Sequence, residues 1–519
     1  MPSYKSYISH KNIFLFGLFL IIVGMPLSKF LMSVGQFILL GNWLLEGDFK
    51  RKWVIMKTSK VLWVMSSFYL LHLIGLLWTS DFSYAANDLK IKLPLLWFPL
   101  LFITSNHSLS RKESQSLLWL FSFAVFIASI VCTFVWLGYT KHKVIDIRDI
   151  SIFNSHIRFA LMIDLVICFL LYDFFKTGRL FLYLIKIGLI TWLVVFLGIM
   201  QSFTGIVILS IVLMYYSILF LKNLKKPVFK FSAFSIICLI GLFICYIIVK
   251  EIKEQNAPVK PIVRLVKTPQ GHPYYNDERN TETENGNLIW ANVCGYELQT
   301  GWNKISSINF HAKDKKGNSI DNTIIRYMSS KGLNKDSAGL SKLKPEDIFW
   351  IENGTTNYLY TSKSGIETRI HEIIYEYDAF KKGKNPTGHS LLMRIEFWRV
   401  GLDIIKRKWL WGVGTGDLQN AYRNQYESSG TKLSKEWRKR SHNQFMATTI
   451  GLGIFGLLLF LTYLFYPAIK IKQKHYLFSA FMLISILSMI NEDTLETQAG
   501  VTFFGFFHSL FLFLELDEK

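Results

Sequence analysis

Acidic residues are scarce in this 519-residue sequence: 37 Asp and Glu stand against 58 Lys and Arg, a formal net charge of +21. On a soluble chain that excess would suggest nucleic acid, but no nucleic-acid-binding motif accompanies it. Cysteine is scarcer still, at five residues. Cys132, Cys168, Cys238 and Cys245 lie inside apolar runs, and Cys294 has no second cysteine in its own polar stretch. All five read as small buried residues rather than as a disulfide framework. Catalytic signatures are missing too. "HEIIYE" carries tyrosine where a zinc protease needs its second histidine, and there is no Gly-x-Ser-x-Gly elbow. The absence of any Asp-x-Asp pair disfavours a metal-dependent nucleotide-sugar transferase. "GVGTGD" lacks both the GxGxxG spacing and a terminal GK[ST], so it reads as a tight turn with positive φ angles.

What is present is grease. Hydrophobic residues make up 51% and aromatics 16%, and mean hydropathy is +0.28. Apolar runs near 13–28, 30–45, 61–79, 90–105, 114–138, 157–175, 180–200, 202–221, 231–250, 444–468, 475–491 and 498–515 approach the roughly 20 residues a spanning helix needs. The fold class expected is an all-α polytopic membrane protein with about twelve transmembrane helices and one large mixed extracytoplasmic loop. The expected organisation is nine spans over 1–250, the loop over 251–443 and three spans over 444–519. The first run, followed at once by a second, reads as an uncleaved span.

Cations orient the set. Lys50, Arg51, Lys52, Lys57 and Lys60, then Arg111 and Lys112, Lys176 and Arg179, Lys222 to Lys230, and Lys470 to Lys474 all fall on one side. The opposite short loops carry few, Lys90 and Lys92 among them. The positive-inside rule then places both termini in the cytoplasm and 251–443 outside it. Chemistry in that compartment has no ready supply of ATP or nucleotide sugars, so an activated substrate must arrive through the membrane.

Within the loop, "GNLIWANVCGYEL" and "TTNYLYTSKSG" read as short strands or irregular loops. "GIETRIHEIIYEYDAF" reads as helical, and so does the stretch from Ser390, which caps it. The apolar face predicted for this second helix is Leu391, Ile395, Trp398, Leu402 and Ile405, with Arg399 and Asp403 paired on the other side. Asp417 is expected to cap a further short helix. Asp164 lies about two turns into a span, where a carboxylate is a functional candidate.

"MRIEFWRVGLDIIKRKWLWGVGTGDLQNAYRNQY" followed by "SHNQFMATTIGLGIFGLL" resembles the O-antigen ligase and polymerase superfamily in its Bacteroidetes-type form. "RYMSSKGLNKD" and "EDTLETQAGVTFF" resemble the same group, and the architecture is similar over nearly the whole chain. The resemblance implies an inverting, metal-independent glycosyltransferase with no cofactor. Such an enzyme moves a glycan from undecaprenyl diphosphate to an acceptor, commonly the lipid A–core of lipopolysaccharide. The family histidine maps onto His442 and the loop arginine onto Arg394. A second family arginine usually follows a serine at the start of a span, but here Ser202 is followed by Phe203. Arg158, in "NSHIRFALMIDL", is the candidate substitute.

The residue types fit that chemistry. Guanidinium groups hold a diphosphate in bidentate fashion where no metal does, which makes Arg394 the first candidate, followed by Arg158 and Arg399. An imidazole can take the proton of an attacking sugar hydroxyl, and Asn443 beside His442 can orient it or hold a sugar. Arg438, Lys439 and Arg440 can gather anionic substrate or pair with Glu492, Asp493 and Glu496, and Glu492 is a further candidate contact for acceptor. A polymerase of the same superfamily is the alternative reading. A lipid-linked oligosaccharide flippase is the reading from another class, though the chain lacks the internal repeats and charge-lined spans expected of one.

Overall fold

A computed structural model describes residues 9–142, 144, 147–174, 180–223, 246, 249–250, 252–253, 259–362, 370–374, 376–377, 386–387, 390–470 and 476–513. The chain forms two compact units. One comprises Met1–Thr140, Ile150–Ser217 and Lys384–Lys519, and the other Lys141–Asp149 and Ile218–Gly383. Residues 384–443 therefore belong with the apolar helices.

The first unit is helical throughout its described elements. Helices His10–Leu27, Lys60–Trp78, Arg111–Trp136, Leu180–Ile199 and Gln444–Lys470 are long and apolar enough to cross a membrane. Lys29–Leu45 and Phe49–Thr58 pass that test together but meet at 109°. Gly47 and Asp48 both take positive φ at this corner. Lys52, expected among the cytoplasmic loop cations, is instead buried, 2.8 Å from Glu46 and donating to the Trp43 carbonyl. Phe203–Leu219, Tyr476–Asn491 and Gln498–Leu512 are shorter apolar helices. The run at 90–105 is cut by Pro94, which ends Phe82–Lys92 and begins Pro94–Thr104. The run at 231–250 and most of "GIETRIHEIIYEYDAF" lie outside the described residues.

Cys132, Cys168 and Cys294 are buried and unbridged, as the sequence suggests. Asp164 is fully buried, and both its carboxylate oxygens are without a hydrogen-bond partner.

The second unit corrects the sequence reading of 286–298. Its strands are two residues each, Thr283–Glu284 paired antiparallel with Asn287–Leu288, and "CGYEL" already begins helix Gly295–Ile305. Trp302 of that helix is fully buried among Ile320, Ile324, Tyr327 and Met328 of Ile320–Ser330, with Ile351 of Pro345–Glu352. Aromatic and aliphatic burial at helical spacing supports this unit, and the β-hairpin is only its edge.

Candidate active site

The stretch from Ser390 to Ile454 is built around a glycine-rich turn. Helix Ser390–Lys408 ends at Trp409, and Gly412 and Gly414 take φ of 72° and 101°. The Gln444–Lys470 helix is kinked where Gly453 leaves helical geometry. Turn and kink satisfy each other's backbone. Amides of Val413 and Gly414 donate to the carbonyls of Ile450 and Gly451 at 2.8 and 2.9 Å, and the Ile454 amide donates to the Trp409 carbonyl at 2.8 Å. A Cβ on Gly453 would stand 2.1 Å from the Leu410 carbonyl oxygen. The glycines are thus a structural lock, as the tight-turn reading expects.

Helix Ser390–Lys408 buries a different stripe from the one predicted. Phe397, Val400 and Ile404 pack with Tyr422, Tyr426, Ala447 and Ile450; of the predicted face Trp398 and Ile405 pack partly buried against this cluster, while Leu402 is exposed. The helix carries apolar residues on more than one face, and its neighbours choose among them. The rotation sends Trp398 to donate through Nε1 to the Ser441 carbonyl at 2.9 Å, and it sets the Phe397 ring 5.8 Å from that of His442. Arg394, one turn earlier, points to Glu492 at 3.1 Å. Arg399 is held chiefly by Glu396 at 2.6 Å, and Asp403 is only a distant partner at 3.8 Å. Asp417 precedes helix Leu418–Ser428, but its carboxylate accepts from the Ser80 amide and hydroxyl instead of capping.

His442 has φ of 47°, the left-handed region that few non-glycine residues adopt. Its neighbour Asn443 is the helix cap: Oδ1 accepts from the Met446 amide at 3.0 Å and Nδ2 donates to the Ile490 carbonyl at 2.9 Å. With capping done by Asn443, the imidazole is turned toward the 491–498 connection. Nδ1 lies 3.5 Å from Glu492 Oε2 and 3.7 Å from Asp493 Oδ1, and makes no hydrogen bond.

Arg440 lies 3.1 Å from Asp493 and 3.2 Å from Glu496, and donates to the Tyr84 hydroxyl at 3.0 Å. Glu496 also meets buried Lys92 at 3.1 Å, and Lys92 in turn bonds Asp88. Gln444 ties the two ends together, donating to Glu496 and accepting from the Leu495 amide at 2.7 Å. Arg158, with its Nε buried and unpartnered, is close enough for Glu492 and Asp493 to act on it electrostatically. Four carboxylates (Asp88, Glu492, Asp493, Glu496) thus meet four fixed cations: Lys92, Arg158, Arg394 and Arg440.

Burial alone would push all three connection carboxyls up. Lys92 and Arg440 outweigh it at Glu496 and hold that group at about 2. His442, Arg394 and Arg158 outweigh it at Glu492, which is also lowered. At Asp493 burial wins, and the carboxyl lies above its usual range.

His442, Glu492 and Asp493 bring ligand atoms within 4.8 Å of one another, a spacing a metal ion could use. Both carboxylates already face guanidinium groups, so a dication would add uncompensated charge to a balanced set.

A family model described as O-antigen ligase matches residues 351–461. Over this segment the chain is similar to the O-antigen ligase family. No curated protein matches the chain. The ligase segment itself carries Arg394, Arg399, Arg438, Arg440, His442 and Asn443. The rest of the cluster comes from elsewhere in the same unit. Of the sequence candidates, His442, Arg394, Arg440, Glu492 and Arg158 are brought together, with Asn443 as cap. Arg438 turns away, donating to the Leu433 carbonyl and lying over the Tyr426 ring. Lys439 lies over Trp437. The sequence reading missed Lys92, Asp88, Tyr84 and Gln444. The signal for the first two was an Asp/Lys pair at i,i+4 directly before an apolar run, where charge is costly unless used.

Proposed function

We propose that this chain is an inverting, metal-independent glycosyltransferase of the O-antigen ligase type. It would work on the periplasmic side of a bacterial inner membrane, with about twelve spans and cytoplasmic termini. The donor is a glycan on undecaprenyl diphosphate and the acceptor a glycan hydroxyl such as that of lipid A–core. The observation that carries this reading is the convergence of one imidazole with Arg158, Arg394 and Arg440 at helix ends. That set can serve a base and a diphosphate at once.

A proton on Nδ1 facing Glu492 leaves Nε2 as the basic nitrogen. The acceptor O–H gives its proton to Nε2 as its oxygen attacks the anomeric carbon from the face opposite the phosphate. The carbon–oxygen bond to the diphosphate breaks, and the electron pair leaves with undecaprenyl diphosphate. Arg394 and Arg158 stabilise that growing charge. Glu492 is a positioning residue that orients the imidazole and holds Arg394. Arg440 with Asp493, Glu496 and Lys92 forms the rigid floor.

The test is reconstitution in liposomes with carrier-linked glycan and purified lipid A–core in the presence of a chelator. Transfer is expected for the native chain and none for His442→Ala. Undiminished transfer by the variant would overturn the assignment of the base. A polymerase remains the second reading, because its acceptor is also a sugar hydroxyl. It would elongate carrier-linked glycan and leave lipid A–core unmodified. A flippase would be indifferent to His442→Ala.

A further inference from the structure

Helix His156–Phe174 carries Arg158 near one end and Asp173 at the other, roughly 22 Å apart at the usual helical rise. Around Asp173 is a second cationic place that the transfer chemistry does not use. A cavity of about 520 Å³ is lined by Arg111, Lys112, Gln115, Trp119, Asp173 and Lys186. Lys186 is buried and neutralised there, 2.7 Å from Asp173 and donating to that residue's carbonyl, with its ammonium over the Trp119 ring. Arg111 and Lys112 are exposed and have no acidic partner among the described residues. Glu113, beside them, is taken by Lys11 at 2.8 Å and accepts from the Ser110 amide in a capping box. The cavity therefore holds two uncompensated positive charges.

It does not stand alone. Lys112 also lines a groove of about 330 Å³ whose other walls are Leu15, Phe19, Ser116, Leu117, Leu120 and Glu113, the last held by Lys11. A polar, doubly cationic pocket shares one lysine with an apolar groove between two candidate spans. That pairing matches a molecule with a phosphate at one end and an acyl chain at the other. A soluble anion would leave the groove unfilled, and a zwitterionic lipid would bring a charge the pocket cannot answer. We infer that this is a binding site for a single anionic phospholipid. Its phosphodiester would lie against Arg111 and Lys112, and one acyl chain would run along Leu15, Phe19, Leu117 and Leu120. In the orientation proposed above it faces the cytoplasmic leaflet, away from the transfer site.

The test is native mass spectrometry of the full chain, stripped of lipid in detergent and titrated with phosphatidylglycerol or phosphatidylcholine. Phosphatidylglycerol should give one retained adduct and phosphatidylcholine none. Arg111→Gln with Lys112→Gln should weaken retention by roughly tenfold or more. Lys50→Gln with Lys60→Gln, exposed cations elsewhere, should leave it intact. Ser116→Trp fills the groove without changing charge and should also abolish retention. Equal retention of phosphatidylcholine, or an adduct that survives the Arg111/Lys112 changes, would overturn the site. Retention that survives Ser116→Trp but is displaced by inorganic phosphate would overturn the lipid and leave only an anion pocket.

Discussion

Two histidine–glutamate pairs, one in each unit, look alike in composition and differ in how they are finished. In the second unit His272 Nδ1 lies 2.9 Å from Glu297, which also accepts from the Thr268 hydroxyl and the Ser337 amide. Burial would raise the Glu297 carboxyl, but these donors outweigh it and hold it at about 2. No cation beyond the histidine is needed, and nothing is left over. In the first unit His442 stops at 3.5 Å from Glu492 on a strained backbone, with its Nδ1 unbonded. Beside it Arg440 is shared between Asp493 and Glu496, while Arg394 meets the same Glu492 that faces the imidazole. A saturated pair serves the fold, whereas one whose imidazole is left unbonded beside guanidinium groups is arranged for something that comes and goes.

The largest effect that can test this contrast is on rate. His442→Ala should lower glycan transfer by about 10²–10⁴-fold, the range for a general base, while the chain still elutes as a folded species in detergent. His272→Ala should leave the rate within about twofold. Comparable losses from both would erase the distinction. Next comes stability. Glu496→Ala leaves buried Lys92 with Asp88 alone and Arg440 with Asp493 as its one carboxylate, and should cost about 1–3 kcal/mol, read as a lowered midpoint in detergent unfolding.

Acid offers a smaller and region-specific effect. A carboxyl held at about 2 instead of its ordinary 4.5 stabilises the fold above pH 4.5, and that contribution is lost as pH falls toward 2. Pepsin cleavage between residues 259 and 362 should therefore rise across that window, and Glu297→Gln should flatten the rise. The smallest effect belongs to Arg399. Its pairing with Glu396 is half-exposed, so Arg399→Ala should cost under about 1 kcal/mol and leave transfer nearly unchanged. A loss of transfer as deep as that of Arg394→Ala would return Arg399 to the diphosphate site.

Much of this was legible in residues alone. Helices follow the apolar runs closely because length and hydropathy are local properties, and the turn at Gly412 and Gly414 was readable from its glycines. The side of helix Ser390–Lys408 that would be buried was not, because several of its faces carry apolar residues. Nor was the division of labour between His442 and Asn443, which depends on one φ angle. The stretch 286–298 misled because aromatic and β-branched residues near Trp290 also suit a helical core.

By itself the sequence determined that this is a chain of apolar helices with a large polar segment, and it singled out the His442 and Arg394 stretch. Only the tertiary structure decided which charges meet. It carried Glu492 and Glu496 to Arg394, Arg440 and His442, and it brought Lys92 from some 400 residues away in sequence. The reason is physical: hydropathy and periodicity act between near neighbours, whereas a buried charge finds its counter-charge through space. No local pattern records that choice.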